Sequence, residues 1–474
     1  MSLESYQSTR IAHWDRVNST ARSNIFNSTY HKRLKQIYSH HIPANSRVLE
    51  IGCGKGELLS ALNPAVGVGI DFSAQAIQLA QKSFPQLTFL CIDILAGTPE
   101  IDVESFDFII LSDLLNDVWD VQAVFDHIAP FCHKRTRIIL NYYSRVWQPM
   151  LGLVQNLGLA KKNLQQNWLT REDLSNMLYL SNFEVLKYWH EMLFPLPIPL
   201  LEGFFNKFLV KIWPFSSLAL TNFMIASLKS SPKKQEYSVS VIVPARNEAG
   251  NIENILTRTP EMGKGTEIIF VEGNSSDDTY QTIESLLPKF RQRKTALLHQ
   301  DGKGKGDAVR KGFAHATGDI LMILDADLTV PPEDLPRFYE ALANNKGDFI
   351  NGVRLVYPME KEAMRFYNLL GNKFFSMTFS WLLGQPIKDT LCGTKVLFRK
   401  EYDHIVANRA YFGDFDPFGD FDLIFGASRL DLKIVDMPIR YRERTYGTTN
   451  IQRWKHGLLL LKMVFFASSR IKFI

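Results

Sequence analysis

Cysteine is scarce in this chain and scattered where it occurs. Its 474 residues include four, Cys53, Cys91, Cys132 and Cys392, and no two have C-x-x-C spacing. This argues against a disulfide framework or a structural zinc and favours a reducing compartment. Long apolar runs are also lacking. No uninterrupted stretch reaches the ~20 residues that a bilayer span needs. Residues 192–215 come nearest but are broken by prolines and charges, and residues 457–469 are interrupted by Lys462. Both read either as buried helices or as peripheral membrane contacts. The opening MSLESYQSTRIAHW has neither the basic head nor the apolar run of a secretion signal, so a cytoplasmic location is expected. There is no concentrated basic stripe either. The formal charge is +5 with both signs spread along the chain, which excludes a dedicated nucleic-acid binder.

The composition, 46% apolar and 22% charged, is that of a globular protein. The length implies roughly two to four domains. The polar, proline-punctuated segment KSSPKKQEYS (229–238) is the best linker, giving expected domains 1–229 and 230–474. On either side of it, apolar runs alternate with amphipathic stretches, the α/β pattern. The strands read RVLEI (47–51), VGVGID (66–71), LTFLCID (87–93), FDFIILSD (106–113), TRIILNYY (136–143), FEVLKYWHEM (183–192) and TNFMIASL (221–228). After the linker come VSVIVPA (239–245), EIIFVEG (267–273), TALLHQ (295–300) and ILMILDAD (320–327). Their nearly unbroken β-branched character suits strands covered on both faces.

LEIGCGKGE (49–57) is a strand that breaks into Gly52, Gly54 and Gly56 before a helix. Such glycines let the backbone turn tightly and let a ligand lie against it. Asp71 closes the next strand, near the ~20-residue offset of an acid that grips ribose hydroxyls. By spacing alone this fits a dinucleotide site equally well. The stretch resembles the first motif of class I S-adenosylmethionine-dependent methyltransferases, an acid followed by G-x-G-x-G. The resemblance puts Glu50 near the methionine, Asp71 on the ribose, Asp93 near the adenine and Asp113 of SDLLND (112–117) at the methyl-transfer site. It also implies S-adenosylmethionine as cofactor and a final antiparallel strand pair with a long intervening helix. Asp113, Tyr142, Tyr143 and Trp147 either line an acceptor pocket or, for the aromatics, are ordinary packing. No N-P-P-[YF] follows the fourth strand, which argues against an amide or nucleobase acceptor.

In the second half, VSVIVPARNEAGNI (239–252) and EIIFVEGNSSDDT (267–279) each run from a strand into a polar, helix-capping cluster. GKGKGDAVRKG (302–312) sets a basic, glycine-rich loop before a helix, a combination suited to phosphate oxygens. ILMILDAD then brings Asp325 and Asp327 to the C-terminal edge of a strand, where open α/β sheets bind ligands. Two hard carboxylates near a diphosphate suit Mg2+ or Mn2+.

These segments resemble family 2 glycosyltransferases. Pro244, Ala245, Asn247 and Glu248 match the first nucleotide loop, and Asp325 and Asp327 match the D-x-D metal motif. Glu272 stands where D-D-G-S has its aspartate, with Ser275 and Asp277 keeping the hydroxyl and the acid, so UDP- and GDP-sugars both stay open as donors. Lys305 belongs to a loop similar to G-K-G-G-A-V-R. DTLCGTKVLFRK (389–400) and residues 418–451 look like parts of dolichyl- and polyprenyl-phosphate sugar transferases. Arg444, Gly447 and Thr449 fit R-x-x-G-x-S-K with Asn450 in place of the lysine. The resemblance implies inverting transfer to a polyprenyl phosphate or a surface glycan. A hydroxyl acceptor needs a general base, for which Asp422 and Asp420 are the candidates, whereas a phosphate needs none. Arg440, Arg442, Arg444, Arg453, Lys455, Lys462, Arg470 and Lys472 form a basic tail that fits either an anionic lipid or pyrophosphate nearby or a solvated helix face.

The fold expected is therefore α/β in two domains, a Rossmann-like methyltransferase sheet followed by a GT-A nucleotide-diphospho-sugar transferase fold. Two rival readings keep the second half and change the first. One makes it a non-catalytic binding module, the other a dinucleotide-dependent oxidoreductase.

Overall fold

The computed structural model describes residues 3–19, 25–101, 105–149, 164, 166–194, 198, 201–229, 235–354, 366–411, 421–442, 444, 446 and 453–474. The chain divides into two compact units, residues 1–229 with 473–474, and residues 230–472.

The first unit is built on seven strands: β1 (Arg47–Ile51), β2 (Val66–Asp71), β3 (Thr88–Cys91), β4 (Phe106–Ser112), β5 (Cys132–Tyr143), β6 (Phe183–Glu191) and β7 (Thr221–Leu228). Their order is β3-β2-β1-β4-β5-β7-β6, with β7 antiparallel to both neighbours and β1 to β5 parallel. Successive side chains of a strand face opposite ways. Val48, Ile110 and Ile139 therefore pack with Leu34, Ile37 and Tyr38 of the helix Ile25–His41. Leu49, Ile109 and Leu140 pack on the other face with Phe125 and Leu178 from the helices Val121–Ile128 and Arg171–Leu180. This is the expected Rossmann-like sheet. The expected final antiparallel pair is present, but the described residues of its connection form a series of short helical turns and not one long helix. The run KFLVKIWPFSS carries Pro214 and outward-facing apolar groups, and it offers no continuous amphipathic face for a longer helix.

The second unit has β8 (Val239–Ala245), β9 (Thr266–Glu272), β10 (Lys294–His299), β11 (Ile320–Ile323), β12 (Phe349–Val353), β13 (Lys395–Phe398) and β14 (Ile434–Pro438). Their order is β10-β9-β8-β11-β13-β12-β14, with β13 antiparallel to β11 and β12. Ile242, Val271 and Ile323 pack beneath the helix Lys305–His315 and against Phe379, Phe421 and Phe425. Val241, Val243 and Phe270 pack on the opposite face with Ile252, Ile283 and Phe338. This mixed sheet is the expected GT-A arrangement. ILMILDAD is a strand only through Ile323, because Leu324–Asp327 already turn out of the ladder.

Glu267 ties the non-site end of this sheet together. Its carboxylate accepts from Ser240 Oγ, from the Thr317 backbone N–H (2.5 Å) and hydroxyl (2.8 Å), and lies 2.8 Å from Lys294 Nζ. Burial alone would raise its pKa, but these donors pull it down to about 2. Its stabilising contribution is therefore complete above pH 4.5 and is lost as pH falls from there towards 2. Glu267→Gln is expected to lower the stability of this unit at neutral pH by roughly 2–3 kcal/mol and to flatten the acid limb of its denaturation curve. Chemical denaturation at several pH values reads both effects.

Candidate functional sites

In the first unit, β1, β2 and β4 all release their chains at one edge. Gly52, Gly54 and Gly56 there have φ of 74°, 52° and 73°. A Cβ at Gly54 would meet no atom within 4 Å beyond its chain neighbours, so the space over this glycine is open. Asp71 faces the same turn. Its Oδ2 accepts the Gly54 N–H at 2.9 Å and its Oδ1 the Ser73 N–H at 2.8 Å. Glu50 is buried, accepts the Leu59 N–H at 3.1 Å, and forms no ion pair among the described residues. Burial raises its pKa to about 8, so at neutral pH it is largely protonated and suited to gain a positive partner. Asp113, also at positive φ, receives Tyr30 OH at 2.6 Å and Asn141 Nδ2 at 2.5 Å. Tyr142 is fully buried in the core, and Trp147 donates to the Leu218 carbonyl at 2.8 Å.

One contributor has no sequence signature. The helix Leu3–Ser19 lies over this edge, with Gln7 Nε2 donating to Asp93 at 2.6 Å and Ser73 Oγ to Asp15 at 2.5 Å. Arg10 pairs with Asp117 at 2.9 Å. The helix has almost no apolar stripe, so hydropathy could not have assigned it to a site.

In the second unit, the loops after β8 and β9 interlock. The Asn247 N–H donates to Ser275 Oγ at 3.0 Å, Asn247 Oδ1 accepts the Ser276 N–H at 2.8 Å, and the Glu248 N–H donates to Thr279 Oγ1 at 2.9 Å. Asp277 caps the Thr279 N–H at 3.1 Å. Glu272 accepts the Ser275 N–H at 2.5 Å and lies 3.3 Å from His299, whose ring stacks on Tyr280. Pro244 and Ala245 close β8 beside Val271 and Glu272.

Asp325 and Asp327 follow β11 at this same edge, and each has a cation. Lys305 Nζ is 2.7 Å from Asp325, and Arg444 is 2.8 Å from Asp327 and 3.3 Å from Glu248. Burial would raise the Asp325 pKa, but Lys305, with Lys395 and Arg354 behind it, holds it below the ordinary carboxylate range. Glu248 goes the other way, pushed up to about 7 by burial despite Arg444. Sequence reading missed Arg354, which binds Asp389 through two bonds of 2.7 and 2.9 Å, and the fully buried Lys395. The DTLCGTK stretch was visible, but the antiparallel return of β13 that carries it to this edge was not. Gly393 sits so close that any side chain there would collide with the Asp325 carboxylate and the Lys305 ammonium.

Asp422 is joined to Arg409, at 3.0 Å from Nε and 2.8 Å from a terminal nitrogen. Asp420, Gly447 and Thr449 lie outside the described residues. No group of three or more His, Cys, Asp or Glu side chains converges as a metal site among the described residues.

The profile of a methyltransferase domain matches residues 24–188, and that of glycosyl transferase family 2 matches residues 240–406. The chain joins a methyltransferase domain to a family 2 glycosyltransferase domain. The glycosyltransferase domain is similar to a dolichol-phosphate mannosyltransferase of Pyrococcus furiosus, 35% identical over 34% of this chain and 46% of that enzyme. It is also similar to an undecaprenyl-phosphate 4-deoxy-4-formamido-L-arabinose transferase of Edwardsiella ictaluri, 25% identical over 47% of this chain and 64% of the relative. The chain thus spans about half to two thirds of the length of these relatives. Among solved structures, glucosyl-3-phosphoglycerate synthase of Mycobacterium tuberculosis overlaps 50% of this chain and 80% of its own (18% identity, TM-score 0.36). Magnesium protoporphyrin IX methyltransferase of Synechocystis overlaps 48% of this chain and 98% of its own (16% identity, TM-score 0.33).

The packing at Gly393 gives a direct test of the carboxylate edge. Gly393→Ala is expected to displace Lys305 from Asp325 and to lower sugar-transfer turnover at least about tenfold, equivalent to ~1.4 kcal/mol. The thermal midpoint should fall as well, because the collision meets the Asp325 carboxylate as well as the end of the lysine. Steady-state kinetics beside a melting curve separates the two effects.

Proposed function

We propose that the glycosyltransferase domain moves a sugar from a UDP- or GDP-linked donor to a polyprenyl phosphate, while the methyltransferase domain uses S-adenosylmethionine to methylate a separate acceptor. The observation that carries the first part is the pair Asp325 and Asp327 at a sheet edge ringed by Lys305, Arg444, Arg354 and Lys395. Asp325 and Asp327 would hold Mg2+ or Mn2+, with donor phosphates completing the shell, the usual sharing of ligands for Mg2+. Such an ion, when bound, offsets charge that builds on the departing diphosphate. Lys305 and Arg444, which neutralise the two carboxylates, are the chain's own cations for that diphosphate. Asn247, Glu248, Glu272, Ser275 and Asp277 shape the nucleotide loops.

The acceptor is inferred from Asp422 and from the relatives' names. A carboxylate already committed to Arg409 is a poor base for a hydroxyl, and a phosphate acceptor arrives ionised and needs none. The two relatives are named for dolichol phosphate and undecaprenyl phosphate, both polyprenyl phosphates. The surface of this domain supports contact with a membrane, on the cytoplasmic face in the reading proposed here. The helix Arg453–Ala467 exposes Leu458 and Phe465, and its neighbour Phe366–Leu383 exposes Phe374, Met377 and Trp381, with Arg470 and Lys472 close by. No helix among the described residues is long and apolar enough to cross a membrane.

For the methyltransferase domain, the open space over Gly54 fits a cofactor lying on the backbone, and Asp71 and Glu50 supply the acids beside it. S-adenosylmethionine, when bound, supplies an already activated methyl group, so the domain's task is alignment. Asp113, held by Tyr30 and Asn141, and Tyr143 and Trp147 line the acceptor side.

Asp327→Asn is expected to reduce sugar transfer by ~100-fold or more and leave calorimetric S-adenosylmethionine affinity intact. Gly54→Asn, which tolerates positive φ, should do the reverse. Full transfer by Asp327→Asn, or in excess EDTA, would overturn the metal assignment. Unchanged cofactor affinity in Gly54→Asn, or retention of NAD on purification, would return the first domain to a binding module or an oxidoreductase. In a separate experiment, Leu458→Glu combined with Phe465→Glu is expected to lower sedimentation with anionic liposomes. Equal sedimentation would favour a soluble glycan as the sugar acceptor.

A further inference from the structure

The connection between β6 and β7 of the methyltransferase domain reverses the usual arrangement of side chains. In residues 201–218 the buried side chains include Asn206 and Lys211, while Phe204, Phe208, Ile212, Trp213, Phe215 and Leu218 are exposed, Trp213 by 80%. Folded chains normally bury the second kind and expose the first. The reversal is built in, because the polar groups act as anchors. Asn206 Oδ1 accepts the Leu193 and Phe194 N–H groups at 2.8 and 2.7 Å, and its Nδ2 donates to the Phe194 carbonyl at 2.6 Å. Lys211 pairs with buried Glu191, which Arg33 also grips at 2.9 Å. Burial would raise the Glu191 pKa, but Lys211 and Arg33 hold it below the ordinary range. Withdrawing three charged groups from water is costly unless they satisfy one another, and here they fix the base of the segment. The apolar groups are therefore held outward by the fold.

We propose that residues 201–218 dock the methyltransferase domain onto a lipid surface, a reading that rests on the assignment of that domain to methyl transfer. The exposed set is rich in Phe, with Trp and Leu, the residues that an interfacial segment buries at the headgroup boundary. Glu202 is the one acid in the segment, and Lys207 is exposed beside Phe204 and Phe208, which suits anionic headgroups. The segment also lies at the working edge of the sheet. Thr221, where it returns to β7, pairs with Tyr143 at the end of β5, and the Ser144 N–H donates to the Leu220 carbonyl at 2.8 Å. Trp147 binds the Leu218 carbonyl at 2.8 Å. Docking through this face brings the edge that holds Asp113 to the lipid surface, so the methyl acceptor is of the class carried in or on a bilayer.

The test uses the full chain carrying Leu458→Glu and Phe465→Glu, so that the other domain's apolar helix does not contribute. Vesicles of phosphatidylcholine and phosphatidylglycerol are sedimented in ~1 M salt, where the Debye length of ~3 Å suppresses purely electrostatic attachment. Residual binding is expected, and adding Phe208→Glu and Trp213→Glu should lower the partition coefficient at least tenfold. S-adenosylmethionine affinity should stay unchanged, which certifies the fold and keeps this test separate from the methyltransferase assignment. The milder Trp213→Ser should give an intermediate loss. Equal partition with and without these substitutions would overturn the proposal. So would a change from dimer to monomer in sizing experiments without loss of vesicle binding, which would assign the face to a second copy of the chain.

Discussion

A carboxylate at the end of a buried strand stays charged only if a donor or a cation stands beside it, and this constraint orders both halves of the chain. Asp325 has Lys305 in contact and Lys395 and Arg354 behind, and these cations hold its pKa below the usual carboxylate range. Glu50, at the matching edge of the first sheet, has one backbone N–H and no ion pair among the described residues, and burial raises its pKa to about 8. Glu248 has a cation, Arg444, shared with Asp327, and lies between them at about 7. The three acids differ in readiness for a positive ligand because their neighbours differ. In the function proposed above, a bound ammonium would take the place of the proton on Glu50, whereas an ion arriving at Asp325 and Asp327 would have to displace the ammonium and guanidinium groups already in place.

The same constraint explains why the glycosyltransferase edge is crowded with basic side chains from distant stretches of sequence. Lys305 comes from the helix after β10, Arg354 follows β12, Lys395 opens β13 and Arg444 follows β14. Four separate stretches each contribute one cation to a centre that no single one of them could neutralise. Asp389 then holds Arg354 by two bonds, so part of that positive charge is fixed in direction before any ligand arrives.

Much of this was legible in the sequence where a local signal coincided with a strand end. LEIGCGKG announced the glycine turn because only glycine accepts three left-handed positions so close together. ILMILDAD announced the paired acids because unpaired carboxylates rarely follow a wholly apolar run. The strands β12, β13 and β14 were not read as strands, since FINGV contains a glycine, KVLF is four residues long and IVDMP ends in proline. Without β13 the approach of Gly393 and Lys395 to Asp325 could not be foreseen. The helix Leu3–Ser19 was invisible as part of a site for another reason. It is attached through Gln7, Arg10 and Asp15, and polar contacts leave no periodic hydrophobic trace.

Each sheet has one reversed strand, and it occupies the same role in both. β7 begins beside the ends of β5 and β6, and β13 begins beside the end of β12. The chain therefore leaves the sheet and re-enters it at a single edge, the one that carries the functional groups. A departure of that kind is a closed excursion, and its length is unconstrained by strand register. Closing a longer loop costs only about 0.6 kcal/mol per doubling, so an excursion can grow without disturbing the sheet beneath it. The segments 201–218 and 366–383, which carry many of the chain's exposed apolar side chains, are both parts of such excursions. The reversed strand acts as an insertion port. It lets a lineage alter what each catalytic edge meets while the scaffold that orients the chemistry stays as it was.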